Sequence, residues 1–193
     1  AANDRSGQSV SLSSDGSVLA IGANGNDANG SAAGHTRVYD WNGTAWVQRG
    51  SDIDGAGWND QTGSAVSLSS DGNIVAIGAW GNSSYRGTTR IYQWNGSSWI
   101  KLGSDIDGEA TGDNSGHYDG VSLSNDGTTV AISAWTNDGN GSNAGHVRIY
   151  QWNGSSWNKL GSDLDGEAAN DYFGTGVSIS GDGTTVAAGA PYN

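Results

Sequence analysis

VSLSSDG, from Val10 to Gly16, is the stretch on which the reading of this chain turns, because it returns almost unchanged three times. It recurs as VSLSSDG at Val66 to Gly72, VSLSNDG at Val121 to Gly127 and VSISGDG at Val177 to Gly183, a spacing of 56, 55 and 56 residues. A fixed period of this size marks a repeat architecture, in which each unit buries its apolar face only against its neighbours. Between these anchors RVYDWNGTAW, at Arg37 to Trp46, recurs as RIYQWNGSSW at Arg90 to Trp99 and at Arg148 to Trp157. GSDIDG then follows at Gly50 to Gly55 and Gly103 to Gly108, and GSDLDG at Gly161 to Gly166. The units so defined are residues 1–56, 57–110 and 111–168, with a partial fourth at 169–193.

Within a unit the apolar period is two, the signature of β-strands. Val10 and Leu12 alternate with serines, and Ser14-Asp15-Gly16 closes a tight turn. Val18 to Ala23 reads as a second strand buried on both faces, Thr36 to Trp41 as a third and Trp46 to Gly50 as a fourth. The Asn42-Gly43 pair is expected to supply the positive φ values of the connecting hairpin. Four antiparallel strands in about 55 residues is the size of one propeller blade, and no segment has helical periodicity. Three units of four strands plus two strands of the fourth predict an all-β propeller of about 3.5 blades per chain. An open half-ring leaves sheet edges and apolar faces in water, so a cover is expected. It is either a second copy, closing seven blades by dimerisation, or the missing blades of a longer chain, to which the match of Ala1–Asp4 with Ala168–Asp171 points.

Composition narrows the function classes. Of 193 residues 34% are hydrophobic and 15% charged, yet 9 Trp and 7 Tyr are far too many aromatics for a disordered polar tail. The net charge of -12, with only 8 Lys and Arg, argues against nucleic acid and against anionic membrane surfaces. The absence of cysteine excludes disulfides, zinc-thiolate sites and cysteine nucleophiles. No apolar run approaches the length of a membrane span, and the first residues do not read as a signal peptide.

The fourth unit reads Phe173-Gly174, a short strand, then Gly189-Ala190-Pro191, and the other units keep parts of it. Gly7 and Gly63 stand at the first position; Gly22-Ala23-Asn24, Gly78-Ala79-Trp80 and Ser133-Ala134-Trp135 stand at the second. Throughout its length the chain resembles the FG-GAP repeats of the integrin alpha-subunit propeller, particularly the variant found in large secreted or surface proteins. The resemblance implies a β-propeller in an extracellular or cell-surface recognition or adhesion role, with no catalytic activity. Integrin-type repeats often carry a calcium loop between the first two strands. Here that turn holds one carboxylate, Asp15, Asp71, Asp126 or Asp182, too few for the six to eight oxygens calcium takes.

The Asp-x-Asp-Gly strings (Asp52/Asp54, Asp105/Asp107, Asp163/Asp165), with Asp60, Asp113 and Asp171 downstream, are second-choice metal ligands. Ile53, Ile106 and Leu164 between the acids read instead as core residues flanked by turn-capping carboxylates, so neither metal nor cofactor is expected. The pairs Trp41/Trp46, Trp94/Trp99 and Trp152/Trp157 repeat in every unit and read as packing. His35, His117 and His146 match no metal spacing and read as turn or surface residues. Aromatics that differ between units mark a binding face, because a scaffold needs the same residue in every blade. Asn24, Trp80, Trp135 and Pro191 share one position after the second strand, and Trp58, Tyr85 and Tyr118 lie in loops. Trp80, Trp135, Trp58, Tyr85, Tyr118 and Asn24 are therefore the expected ligand-binding set, for a glycan or an extracellular protein. The competing expectation is a structural building block held by blade-to-blade pairing. In a eukaryotic secretory source, Asn29, Asn42, Asn82, Asn95, Asn140 and Asn153 would be glycosylation acceptors.

Overall fold

The computed structural model describes residues 3–193; Ala1 and Ala2, half of the expected match to Ala168–Asp171, lie outside the described residues. The first blade contains β1 (Ser9–Leu12), β2 (Val18–Ala23), β3 (His35–Trp41), β4 (Trp46–Gln48) and β5 (Ile53–Asp54). β1, β2, β3 and β4 pair in order, and β5 also pairs with β3, so that β4 and β5 together form a fourth strand broken between them. The second blade repeats this with β6 (Thr62–Leu68), β7 (Ile74–Ala79), β8 (Thr88–Trp94), β9 (Trp99–Lys101) and β10 (Ile106–Asp107). The third has β11 (Val121–Leu123), β12 (Thr129–Ala134), β13 (His146–Trp152), β14 (Trp157–Lys159) and β15 (Leu164–Asp165). A two-stranded half-blade, β16 (Val177–Ile179) and β17 (Val186–Ala188), follows. Every strand pairing is antiparallel, and this is a β-propeller arrangement of about 3.5 blades. No helix is long and apolar enough to cross a membrane among the described residues.

Two details of the sequence reading change. The fourth strand does not run on to Gly50 but breaks after Gln48 and resumes at Ile53. The Trp41–Trp46 hairpin spans four residues, not two: Gly43 alone has positive φ (95°), while the Asn42 carboxamide accepts hydrogen bonds from the N–H groups of Thr44 and Ala45. Asn95 and Asn153 close their loops in the same way.

The core lies between blades. Val18, Ala20, Val38 and Ile53 of the first blade meet Val66, Leu68, Val75 and Ile77 of the second, and equivalent residues fill the next two joints. Burying each Val, Leu or Ile contributes about 1.5–3 kcal/mol, so the joints carry much of the stability. The rim tryptophans belong to the same packing: Trp99 and Trp157 donate their indole N–H to the carbonyls of Arg49 and Leu102 in the preceding blade, both at 3.0 Å.

The VSLSSDG motif acquires a reason residue by residue. Asp15 caps its own turn by accepting from the Ser17 N–H, which with the Ser13 and Ser17 hydroxyls holds its carboxyl down to about 2. Ser13 accepts the Val18 N–H, and Gly16 takes φ 71° to complete the turn. Ser11 reaches across the joint. The innermost strand of each blade pairs on one side only, and its outward N–H groups are met by hydroxyls of the blade before it. Leu68 N–H donates to Ser11, Leu123 N–H to Ser67 and Ile179 N–H to Ser122, at 3.0–3.1 Å. Beside them a backbone relay runs from Ser14 N–H to Ser70 O, Ser70 N–H to Asn125 O and Asn125 N–H to Gly181 O. The Gly-Ala of one blade and the Gly of the next also touch: a Cβ on Gly22 would sit 2.0 Å from Gly63 O, and on Gly78 1.9 Å from Gly116 O.

Replacing Ser67 with Ala strands a buried N–H on Leu123, a change worth about 1–3 kcal/mol. A urea titration is expected to show that loss for Ser67→Ala and none for the exposed Ser97→Ala in the β8–β9 hairpin.

Candidate functional site

The loops leaving the second strand of each blade and those entering the first strand emerge at the same end of the propeller. There the repeat stops being uniform. Trp80 and Tyr85 follow β7, His117 and Tyr118 precede β11, Trp135 follows β12, Tyr172 precedes β16 and Tyr192 follows β17. Their rings form one continuous ridge across the second, third and fourth units. Trp80 lies 5.1 Å from Tyr85 and stacks on His117 at 4.1 Å; His117 stacks on Tyr118 at 3.7 Å and lies 6.0 Å from Trp135. Trp135 is 5.5 Å from Tyr172, which is 5.5 Å from Tyr192 in an edge-on contact. Offset and edge-on geometries at these separations are the favoured ones for aromatic pairs. At the end of the ridge an open groove of about 670 Å³ is lined by Trp135, Asn170, Tyr172, Thr175, Pro191 and Tyr192.

His117 holds the ridge together and the sequence reading did not select it. It is buried, not a surface residue, and its Nδ1 accepts the Trp135 indole N–H at 3.4 Å. Burial alone pushes its imidazole down to about 4, so it is neutral near pH 7. The signal was present as a spacing: Gly116 and Val121 are five positions apart, whereas Gly7 and Val10, Gly63 and Val66, and Gly174 and Val177 are three apart. The two extra residues let His117 and Tyr118 enter between Trp80 and Trp135. Tyr85 and Tyr118 sit on left-handed backbone, φ 66° and 48°, a conformation costing a non-glycine residue about 1 kcal/mol. Tyr172 has φ 52°, a value shared by Arg5, Gln61 and Asn114 at the equivalent position, and so belongs to the scaffold.

Of the expected binding residues, Trp80, Trp135, Tyr85 and Tyr118 come together. Trp58 is 80% exposed and has no ring contact with the ridge among the described residues. Asn24 is 1% exposed and faces Gln61 inside the first joint, so it offers nothing to a ligand. Tyr172 and Tyr192, which precede β16 and follow β17, are ridge residues outside the expected set. His35 and His146 also leave their expected surface position: both begin a third strand and are buried, opposite Asp54 and Asp165.

The acids are committed to arginines. Asp52 receives Arg37 through two N–H groups at 2.9 and 2.8 Å, Asp105 receives Arg90, and Asp163 receives Arg148 and Lys159. Ile53 and Ile106 are buried between the acids as expected; Leu164 is 42% exposed, because the half-blade has no outer strands to cover it. Asp60 is buried and accepts from Arg90, Asn82, Thr62 and the Ala56 N–H. Burial works against its ionisation, but these donors outweigh burial and hold its pKa below the usual carboxylate range. Two clusters, His35/Asp52/Asp54 and Glu109/His146/Asp163, place three ligand atoms within 4.8 Å. In each the central carboxylate already accepts from a guanidinium, which competes directly with a cation.

Comparison with solved structures places the fold. A 6-phosphogluconolactonase candidate from Bacteroides uniformis superposes with a TM-score of 0.61 at 12% identity, over 93% of this chain and 46% of its own. TolB from Acinetobacter baumannii gives 0.53 at 12% identity, over 93% and 36%. The chain thus spans less than half the length of these proteins, and at such identity the likeness is one of fold alone. No curated protein sequence matches the chain. The FG-GAP repeat model matches residues 1–39. The later units repeat the motifs of that segment, so the chain is a β-propeller module whose first unit matches the FG-GAP repeat.

Proposed function

We propose that the chain is a non-catalytic recognition module, presented outside the cell, that binds carbohydrate along the aromatic ridge. The observation that carries this reading is the ridge itself: seven rings from three units, continuous through space, in a repeat whose strand and turn motifs recur from unit to unit. Aromatic faces stack against the apolar faces of sugar rings, while short polar groups bond the hydroxyls. The groove supplies both, with Trp135, Tyr172 and Tyr192 beside Asn170 and Thr175. None of its lining residues is a carboxylate or histidine, which favours binding over acid–base chemistry. A ridge of this length suits an extended oligosaccharide better than a single sugar. The FG-GAP match supports the extracellular setting.

Glycan-array screening followed by calorimetry on the best oligosaccharide tests this reading. Tyr172→Ala and Trp135→Ala are each expected to weaken binding about 10-fold, roughly 1.4 kcal/mol, and Trp58→Ala to leave it unchanged. Equal binding by all three variants would sink the assignment.

The neutral state of His117 gives a separate expectation. The unfolded chain binds a proton at this site near 6.5 and the folded protein only at about 4. Stability is therefore complete above pH 6.5 and declines as pH falls from 6.5 toward 4, by about 3 kcal/mol from this group. Thermal melts across that range are expected to show a smaller decline for His117→Gln, which has no proton to take up.

A further inference from the structure

The three joints are built from the same complementary pairs, and the two ends of the described chain each carry an unmatched half of several pairs. Ser11, Ser67 and Ser122 each receive an N–H from the following blade, which leaves the Ser178 hydroxyl and the Leu12 N–H as the outstanding members of the series. The backbone relay from Ser14 to Gly181 ends with the Ser14 carbonyl at one side and the Gly181 N–H at the other. Gly72, Gly127 and Gly183 press on Val18, Ile74 and Thr129 of the preceding unit, whereas a Cβ on Gly16 would meet nothing within 4 Å. Gly22 and Gly78 are covered by the following unit, whereas a Cβ on Gly189 would meet only Thr175 Oγ1, at 3.7 Å.

The apolar surface divides in the same way. Val66 and Leu68 are buried by the first blade, but their equivalents Val10 and Leu12 are 60% and 56% exposed. At the other end an open groove of about 360 Å³ is lined by Gly176, Val177, Ser178, Ala187, Ala188 and Gly189. A strand bearing Val10 and Leu12 is what every internal joint seats against the residues equivalent to these. Donor faces acceptor, and apolar side chains face small ones.

We infer that a second copy of this chain docks head to tail, its first blade seated on the half-blade with the register of the internal joints. The contact forms along the two inner strands only, because the half-blade has no outer strands; Trp46 and Leu160, whose equivalents Trp99, Trp157 and Leu102 pack in the internal joints, stay open at the rim. It is therefore weaker than an internal joint and depends on concentration. A head-to-tail contact of this kind closes a ring if its rotation closes and otherwise propagates. In a two-copy ring the half-blades stand at opposite joints. Two chains then fill eight angular positions, six of them with complete blades, and not the seven that strand counting suggests.

The inference is independent of the ridge and is tested by light scattering over a concentration series. The wild-type chain is expected to rise from 19.7 kDa to an integer multiple of that mass. Two variants isolate the two surfaces, each changing side chains that are exposed in the single chain: Val10→Glu with Leu12→Glu blocks the head, and Ala187→Glu blocks the tail. Each alone is expected to stay monomeric with an unchanged melting temperature. Mixed in equal amounts they are expected to pair as a 1:1 dimer and go no further, since the head and the tail left over in that dimer are the two blocked ones. A wild-type chain that stays monomeric to its solubility limit overturns the inference. So does assembly of either variant by itself, or a mixture that does not pair while the wild type assembles.

Discussion

The structure depends on how each blade satisfies the outward N–H groups of the next blade's innermost strand. A strand paired on one side only presents backbone donors that cannot be left dry and unpartnered without a cost of about 1–3 kcal/mol each. In this chain serine hydroxyls of the preceding blade accept from them, while beside them a backbone N–H of the preceding blade donates to a carbonyl of the next, and these contacts fix the spacing at which the apolar faces close. Glycine is required where the blades approach most closely, because a Cβ there would stand within 2.0 Å of a neighbouring carbonyl oxygen. The repeat is therefore a statement about joints more than about blades.

Electrostatics follows the same economy. With 20 acids and 8 Lys and Arg, cations are scarce, and several sit where they tie strands or units together. Arg37, Arg90 and Arg148 join a third strand to the acid that opens the outer segment of the same blade, and Arg90 also reaches the buried Asp60 at 2.7 Å. Arg49 pairs with Asp40, donates to the Gly72 carbonyl of the following blade at 2.9 Å, and lies over the Trp94 ring. What resembles a metal loop in the sequence is an arginine socket in the fold.

Because the joints and the outer rim absorb the repeated residues, the loop end near the inner strands is where the units are free to differ. The differences there are not scattered. An insertion of two residues in one unit, a tryptophan at one position in two units and tyrosines in three loops converge into one line of rings, with a buried neutral imidazole at its centre. Uniform packing below makes variation above tolerable, and the concentration of aromatics at that end is the physical ground for reading it as a surface that meets a ligand.

The sequence by itself determined the period, the strand content, the second strand at Val18 to Ala23, the FG-GAP resemblance and the half-blade, because each is written in short-range patterns of apolar alternation and turn residues. It also singled out four rings of the ridge, since disagreement between aligned repeats is visible without coordinates. Tertiary structure alone decided the rest. Asn24 and Trp80 share a sequence position, yet one is buried against Gln61 and the other joins the ridge, because exposure is set by the unit packed alongside. His117 reads as one loop histidine among three until its neighbours from two units close around it. The broken fourth strand was hidden too: whether Arg49 to Asp52 continues a strand depends on its pairing with β3, and hydrogen bonds between distant segments leave no mark in the residues between them.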